Sequence, residues 1–348
     1  VVKRFSFAVP GDLATPTGGY AYDRRIIAEL ETLGWTVGVI DLGEGFPRVD
    51  AKRRAAAQAL LEKTPQGLPI VIDGLAFGVL PEAAEALHAR YPLIALVHHP
   101  LALESGITSE DARSFRASER AALARTKGVI VTSPATARLL TSDYGVPAQH
   151  ITVVRPGNDP AEPAAGSRDG IVRLLAVGSL VPRKGYDVLI AALARVADLP
   201  WRLTIAGDAR DPDTAARVRS DIARHNLTAR IAVLGAVAVE KLSALYAAAD
   251  VFVLASRFEG YGMAYAEAIA HGLPVIGTTA GAVPDTLASG AVLIAPDDTD
   301  ALAGALRRLI ADTEERRRLA GAARAAAAKL PTWRDSALLF AGAIEAAA

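Results

Sequence analysis

Asp250-Val-Phe-Val-Leu-Ala-Ser-Arg-Phe-Glu-Gly-Tyr-Gly-Met-Ala-Tyr-Ala-Glu267 holds a strand, a turn and the start of a helix in one continuous run. Val251–Leu254 is short and wholly apolar, as a strand buried on both faces is. Gly260 and Gly262 interrupt it with a turn, and the Ala-rich segment from Met263 to Ala270 favours a helix. The turn then lies at the carboxyl end of a strand, where open α/β sheets bind ligands. The first N–H groups of such a helix have no intrahelical partners and suit an anion or a sugar hydroxyl. Glu259 sits in the turn, and Glu267, inside the helix, would point into the same crevice. Taken alone, the stretch leaves two readings open. The glutamates hold a ligand, or they are a solvated loop charge and an ordinary exposed helix residue.

Outward from this unit the same rhythm continues. Apolar runs at 5–9, 36–41, 70–73, 93–98, 128–132 and 151–154 alternate with helical patterns at 21–33, 51–63, 82–89 and 112–125. Residues 155–170, rich in Pro, Gly and small polar side chains, break the pattern and read as an interdomain linker. Strands then recur at 172–177, 202–206, 231–234, 251–254, 274–277 and 291–294, with helices at 186–196, 213–225, 239–248, 263–270 and 300–311. The expected fold class is α/β, with two doubly wound, Rossmann-like domains. A length of 348 residues also favours two cores over one. Pro331 should end the helix before it, and the apolar face of the last helix, from Thr332, needs a surface to bury on.

Composition excludes several chemistries. With 38 basic and 38 acidic side chains there is no field for nucleic acid. No cysteine means no disulfide, thiol nucleophile or Cys-ligated metal, and the six histidines lack metal-ligand spacing. Neither a secretory leader nor a membrane-spanning run is legible, so a cytoplasmic protein is expected. Lys52-Arg53-Arg54 with Arg113, Arg116 and Arg120 read as solvated helix faces, so peripheral membrane contact is unsupported.

Three further stretches carry chemistry. Thr15-Pro-Thr-Gly-Gly-Tyr20 lies between the first strand and first helix, where Gly18 and Gly19 would let backbone approach a ligand; a bare glycine turn is the plainer reading. His98 and His99 stand at a strand's carboxyl end, and one of them could bond a substrate or move a proton. Gly178-Ser-Leu-Val-Pro-Arg-Lys-Gly185 sets Arg183 and Lys184 just before a helix. A planar donor fork, a point charge and free helical N–H groups make a diphosphate clamp. Asp211-Pro-Asp213 could hold a divalent ion, but it reads better as the opening of a helix.

Together these stretches resemble retaining glycosyltransferases of the GT-B architecture, within them family 4. Gly18-Gly19 with Ile26–Val37 is similar to the family's opening glycine loop and helix, and Gly178–Gly185 to its phosphate loop. Val233–Val237 with Leu242–Leu254 is similar to its base-binding segment. Glu259–Glu267 is similar to its E-x7-E motif, and Thr332-Trp333 with the final helix to its crossing segment. Ala255, Asp285 and the order of Pro156-Gly-Asn-Asp159 depart from the usual pattern.

The resemblance implies an acceptor-binding domain of residues 1–157, joined by the crossing helix 331–348, and a donor-binding domain of 158–330, facing each other across a cleft. It implies transfer of a hexose from a UDP- or GDP-linked sugar to a hydroxyl of an unidentified small-molecule, glycan or lipid-linked acceptor. Retention, no metal and no other cofactor go with it. Arg183 and Lys184 would bind the diphosphate, with Gly178 in the phosphate loop and Gly19, beside Gly18, approaching from the other domain. Ala236 and Val237 would read the base, and Glu267 would take the ribose hydroxyls. Glu259 and the amides of Tyr261, Gly262 and Met263 would hold the sugar, and His98 would lie near the anomeric centre. The alternatives are a phosphorylase or sugar-phosphate synthase on the same scaffold, or a non-catalytic nucleotide-sugar binder.

Overall fold

The structure is a computed structural model that describes residues 3–104, 106–287 and 290–348. The first two residues of the expected acceptor domain, and Ser105 in the loop after His99, lie outside the described residues. The chain forms two compact units, Val1–Gly157 with Pro331–Ala348, and Asn158–Leu330.

In the first unit, strands β1 (Arg4–Val9), β2 (Thr36–Asp41), β3 (Ile70–Asp73), β4 (Leu93–Val97), β5 (Gly128–Val131) and β6 (Ile151–Val153) build a six-stranded parallel sheet in the order β2-β1-β3-β4-β5-β6. Helices α1 (Gly18–Thr32), α2 (Ala51–Leu61), α3 (Gly74–Phe77), α4 (Pro81–Leu87), α5 (Ser109–Leu123) and α6 (Pro134–Tyr144) follow the strands in turn. β3 and β4 are buried at every position, as near-continuous Ile, Val and Leu require. β2 is the edge strand, half exposed, and carries Gly38 and Asp41 on a weaker apolar pattern.

The second unit repeats the plan. Strands β7 (Val172–Val177), β8 (Trp201–Ala206), β9 (Ile231–Val233), β10 (Val251–Val253), β11 (Val275–Thr278) and β12 (Ala291–Ile294) lie in the order β12-β11-β10-β7-β8-β9, again all parallel. Between and after them run α7 (Tyr186–Ala194), α8 (Pro212–Arg224), α9 (Val239–Ala248), α10 (Met263–Ala270), α11 (Val283–Leu287), α12 (Thr299–Ala311) and α13 (Thr313–Ala327).

The strand orders locate the sites. Winding reverses between β1 and β3 in the first sheet and between β7 and β10 in the second. Loops leaving those strands diverge to opposite faces and open a crevice at the carboxyl edge. The glycine turn, the histidine pair, the clamp, the base segment and the E-x7-E segment follow β1, β4, β7, β9 and β10 in turn, and Asp211-Pro-Asp213 follows β8.

Two expectations need correction. Gly18 and Gly19 are not a loop ahead of a helix starting at Ala21; they are the first two residues of α1, capped by the Thr17 hydroxyl, which accepts from Tyr20 N–H at 3.1 Å. Residues 158–170 are irregular but no free tether. Ala164 N–H donates to His271 O, Ala165 N–H to Ala247 O, and Ser167 N–H to Asp250 Oδ1 at 2.8 Å, so backbone donors that lack a ladder find partners on the second unit. Asp211-Pro-Asp213 opens α8 as expected, with Asp211 the cap, its Oδ1 accepting from Thr214 N–H at 2.7 Å, and Asp213 an acid of the first turn.

The last helix, α14 (Trp333–Ala347), packs on the first unit. Phe340 meets Phe5 and Phe7 with ring centroids 6.4 and 6.3 Å apart, and Trp333 meets Tyr22 at 6.0 Å. The Ser336 hydroxyl donates to Arg155 O at 2.7 Å. Gly157 lies so close beneath that a Cβ there would collide with the backbone of Thr332 and Trp333. The chain therefore leaves and re-enters this unit at one point. Among the described residues no helix is long and apolar enough to cross a membrane.

Candidate active site

In the second unit, the turn after β7 brings Arg183 and Lys184 against the turn after β10. Pro182–Lys184 forms one tight helical turn that ends at Gly185, in the left-handed region at φ 64°. A side chain there would be strained and would also strike Ala255 O, so glycine lets the two turns touch. Arg257 fastens them. Its N–H donates to Arg183 O at 2.7 Å, and its guanidinium bonds Pro182 O at 2.6 Å and Asp187 and Asp297 at 2.7 Å each.

Both cations converge on Glu259. Lys184 Nζ lies 2.7 Å from Oε1 and Arg183 NH1 lies 3.2 Å from Oε2, while the Ser256 hydroxyl donates to Oε1 at 2.6 Å. Glu259 is only 5% exposed. Burial would raise its pKa, but Lys184 and Arg183 outweigh that and hold it at about 2. Burial pushes Lys184 below its ordinary value, against the pull of Glu259. Two cations face the Glu259 carboxylate, and Glu267 is near enough to Lys184 to act on it as well. Glu259 is thus anchored among its own neighbours rather than projecting free. Three of its roughly four lone-pair positions are used, and about one is left for a ligand hydroxyl.

Glu267 lies on α10 and is half-buried. Its Oε2 accepts from the Tyr246 hydroxyl at 2.8 Å, and Tyr246 in turn stacks on His271 at 5.2 Å. Burial raises Glu267 to about 7, against the Tyr246 hydrogen bond. The exposed-surface reading of Glu267 therefore fails. Ala236 and Val237 lie in the loop between β9 and α9, with Leu234 and Val239 exposed on either side.

The helix ends divide by their caps. Among helices of eight or more described residues, α1, α2, α5, α6, α8, α12, α13 and α14 each carry a Ser, Thr or Asp cap that accepts an N–H. α7, α9 and α10 begin at Gly185, Ala238 and Gly262 without a side-chain cap. These are the three helices that open the clamp, base and E-x7-E segments. The uncapped ends leave first-turn N–H groups for an incoming acceptor.

In the first unit, His98 stands just past β4. Its Nε2 lies 3.2 Å from Asp23 Oδ1, on α1, and 3.6 Å from Asp73 Oδ2, at the end of β3. Its partner in sequence, His99, pairs with Glu104 at 3.0 Å. Among the described residues, Asp23, Asp73 and His98 are the group of acids and histidines spaced closely enough to surround a cation. Here His98 Nε2 faces both carboxylates, within hydrogen-bond distance of Asp23 and at ion-pair distance from Asp73. Glu119, buried on α5, accepts from Leu101 N–H at 3.1 Å and so fixes the loop after His99. Burial raises it to about 8.

Comparison with known proteins gives the family. Residues 161–326 match the model described as Glycosyl transferases group 1, and residues 44–162 match Glycosyltransferase Family 4. The chain belongs to the group 1, family 4 glycosyltransferases. An MMP alpha-(1->4)-mannosyltransferase of Mycolicibacterium hassiacum is 28% identical over 267 residues, 71% of this chain and 63% of that protein. A mannosylfructose-phosphate synthase of Agrobacterium fabrum is 30% identical over 190 residues, 49% of this chain and 42% of that protein. The chain therefore spans less than two thirds of the length of these relatives. A sucrose-phosphate synthase structure from Thermosynechococcus elongatus superposes with a TM-score of 0.81 over 97% of both chains at 23% identity. Anabaena HepE, solved with UDP and glucose, superposes with a TM-score of 0.76 at 20% identity, covering 99% of this chain and all of that one. The fold is that of the GT-B glycosyltransferases.

Within this family member, sequence reasoning brought Arg183, Lys184, Glu259 and Glu267 into one unit, and the structure places the first three in mutual contact. Gly178 packs along the stem of Lys184. Ser256, Arg257, Tyr246, Asp23 and Asp73 were not found from sequence. A missing cap residue ahead of α7, α9 and α10 was the one legible signal for the second unit. Nothing local marks Asp23 or Asp73 as partners of His98.

Proposed function

We propose that the chain transfers a hexose from a UDP- or GDP-linked sugar to an acceptor hydroxyl, with retention and without a metal ion. The observation that carries this reading is the pair Arg183–Lys184 converging on Glu259 beside the uncapped start of α7. A diphosphate suits cations beside an uncapped helix start. As the bond from the anomeric carbon to the phosphate oxygen breaks, charge grows on that oxygen, and a preorganised cation pair stabilises it more than it does the ground state. The acceptor oxygen bonds the anomeric carbon on the same face, and its proton passes to the departing phosphate oxygen.

The other roles follow their surroundings. Glu267 takes the ribose hydroxyls when ionised, Ala236 and Val237 meet the base through backbone, and the uncapped start of α10 at Gly262 and Met263, with the Tyr261 amide, meets the sugar. Gly18 and Gly19 begin α1 in the half of the chain that binds the acceptor, and His98 acts there near the reacting groups. A cytoplasmic location and a small-molecule, glycan or lipid-linked acceptor belong to the same proposal. The relatives' names, a mannosyltransferase and a UDP-bound protein, support the donor range. A sugar-phosphate acceptor is the second reading. Its candidate pocket is a cavity of about 460 Å³ in the first unit, where Arg48 and Arg54 stand with Ser114 and Ser118 but also with Glu82 and Asp111, the last 3.6 Å from Arg48.

The test is a thermal-shift panel of nucleotides and sugar nucleotides, with and without EDTA, followed by transfer assays with the stabilising donor. Stabilisation by one nucleotide sugar that EDTA leaves intact is expected. Dependence on a divalent cation would sink the metal-free part. Normal transfer by both Lys184→Ala and Glu267→Ala would sink the assignment.

A further inference from the structure

Two buried carboxylates close on one histidine ring in the first unit. Asp23 is fully buried, and its Oδ2 makes no hydrogen bond. Asp73 is buried as well and caps α3, its Oδ1 accepting from Leu75 N–H at 2.7 Å. Among the described residues, His98 is the one group able to carry positive charge that pairs with either acid.

The elements around the ring add no competing charge. From α1 come Asp23, the Tyr22 ring edge-on at 5.3 Å, and Gly19, where a Cβ would sit 3.4 Å from the imidazole. From the end of β3 comes Asp73. Past β5, the Thr132 hydroxyl donates to His98 O at 3.3 Å. Behind Tyr22 lies Trp333, under the Arg25 guanidinium.

We propose that Asp23 and Asp73 are positioning residues that keep the His98 ring protonated with Nε2 turned inward, so that His98 works as a fixed cation and N–H donor and not as a general base. The inference rests on the reading of His98 as a reaction-site residue.

The geometry leaves few alternatives. A neutral ring would set two buried anions against each other without a counter-charge, or force a proton onto one of them. A proton on Nε2 hydrogen-bonds Asp23 and places the positive charge 3.6 Å from Asp73. Burial alone would lower the His98 pKa, but Asp23 and Asp73 outweigh it and raise it to about 10. Asp23 itself is raised by burial to about 7, against the pull of His98. A general base near neutral pH needs a free lone pair. With Nε2 committed, Nδ1 is the ring's remaining polar atom, and the side chain keeps 20% of its surface exposed. Nδ1–H can donate to an oxygen that gains negative charge during reaction.

The experiment follows the His98 ring nitrogens by long-range proton–nitrogen NMR in the full chain from pH 5 to 10, with His98→Gln to assign the signal. In the wild type both nitrogens should stay at their protonated shifts through pH 8. Asp73→Asn, whose amide oxygen can still cap α3, should bring a titration down by at least about one pH unit, and Asp23→Asn/Asp73→Asn further. Asp73→Glu should restore much of the loss. A wild-type ring that titrates near 6.5, or is neutral at pH 7, would overturn the proposal. So would stabilisation by Mn²⁺ or Zn²⁺ that Asp73→Asn abolishes, because the acids would then hold a metal rather than a protonated ring.

With the donor found in the panel, the rate of Asp73→Asn should fall about tenfold per pH unit above its new pKa and recover on acidification. The wild-type rate should show no such limb below pH 9. A variant whose rate rises as the ring loses its proton would also overturn it. If no nucleotide sugar reacts, the transfer reading fails while the NMR result still decides the protonation state.

Discussion

At the residue scale, the two glutamates of the E-x7-E segment differ by their partners. Glu259 is held at about 2 by Lys184 and Arg183, below its ordinary 4.5. Its contribution to stability is present above about pH 4.5 and is lost as pH falls toward 2. Glu259→Gln leaves two cations facing a neutral amide, and breaking a largely buried pair costs about 3 kcal/mol. We expect a clear fall in melting temperature at pH 7 by calorimetry, shrinking as the wild type approaches pH 2. Glu267 runs the other way. Its pKa is raised by burial to about 7. It favours the folded state while protonated, and that advantage fades as pH rises from about 4.5 through 7. Ribose hydroxyls need the ionised form as acceptor. The KM for donor should therefore climb as pH drops below 7, a dependence that Glu267→Gln should abolish while weakening donor binding throughout. Lys184→Ala should cut kcat by about 100-fold or more, the effect of removing one group aimed at developing charge.

At the element scale, Arg257 and the bare helix ends matter most. Arg257 ties the turn after β10 to the turn after β7 through two bonds, to the start of α7 through a third and to Asp297 after β12 through a fourth, and has no proposed role in holding donor. Arg257→Ala should lower kcat/KM by about tenfold through misplacement of the clamp, with little change in the pH profile. The start of α9 offers a cleaner test. Ala238 already has an extended cap conformation, φ −65° and ψ 156°. Ala238→Asp should stabilise the fold by about 1 kcal/mol, as a helix cap does. It should also weaken donor binding, because a fixed carboxylate would occupy N–H groups meant for the nucleotide. Denaturant titration and donor affinity, measured on one protein, would show the two moving in opposite directions.

The sequence carried the strands well for the same local reason at each. β4 and β10 are unbroken apolar runs, β3 is one closed by Asp73 and β7 one interrupted only at Arg173, and their expected ends differ from the observed ones by a residue or so. The clamp and the two glutamates were legible because each follows its own strand closely. Asp23 and Asp73 were not, since they meet His98 only after β1, β3 and β4 have paired. Glu259's attachment to the clamp was hidden likewise, because a spacing between residues does not reveal a contact across a sheet. Gly18 and Gly19 were placed outside α1 because glycine is a poor helix former, yet the Thr17 cap overrides that preference.

At the scale of the whole molecule, the glycine turn after β1, Asp73 at the end of β3, the clamp after β7 and Glu259 after β10 lie where winding reverses, while His98 after β4 and the loop after β9 lie one or more strands away. β2, an edge with exposed Val39, lies away from the reversal and carries none of the proposed roles. The meeting of Gly157 with Thr332 and Trp333 has a further consequence for how such a molecule can be taken apart. The second unit is an insertion within the first, with its two splice points touching. A bridge of a few residues from Gly157 to Pro331 should close the host, and the excised guest should carry the clamp with it. We expect the closed host to unfold cooperatively and keep His98 against its two acids, with the guest alone binding nucleotide, each checked by calorimetry and NMR.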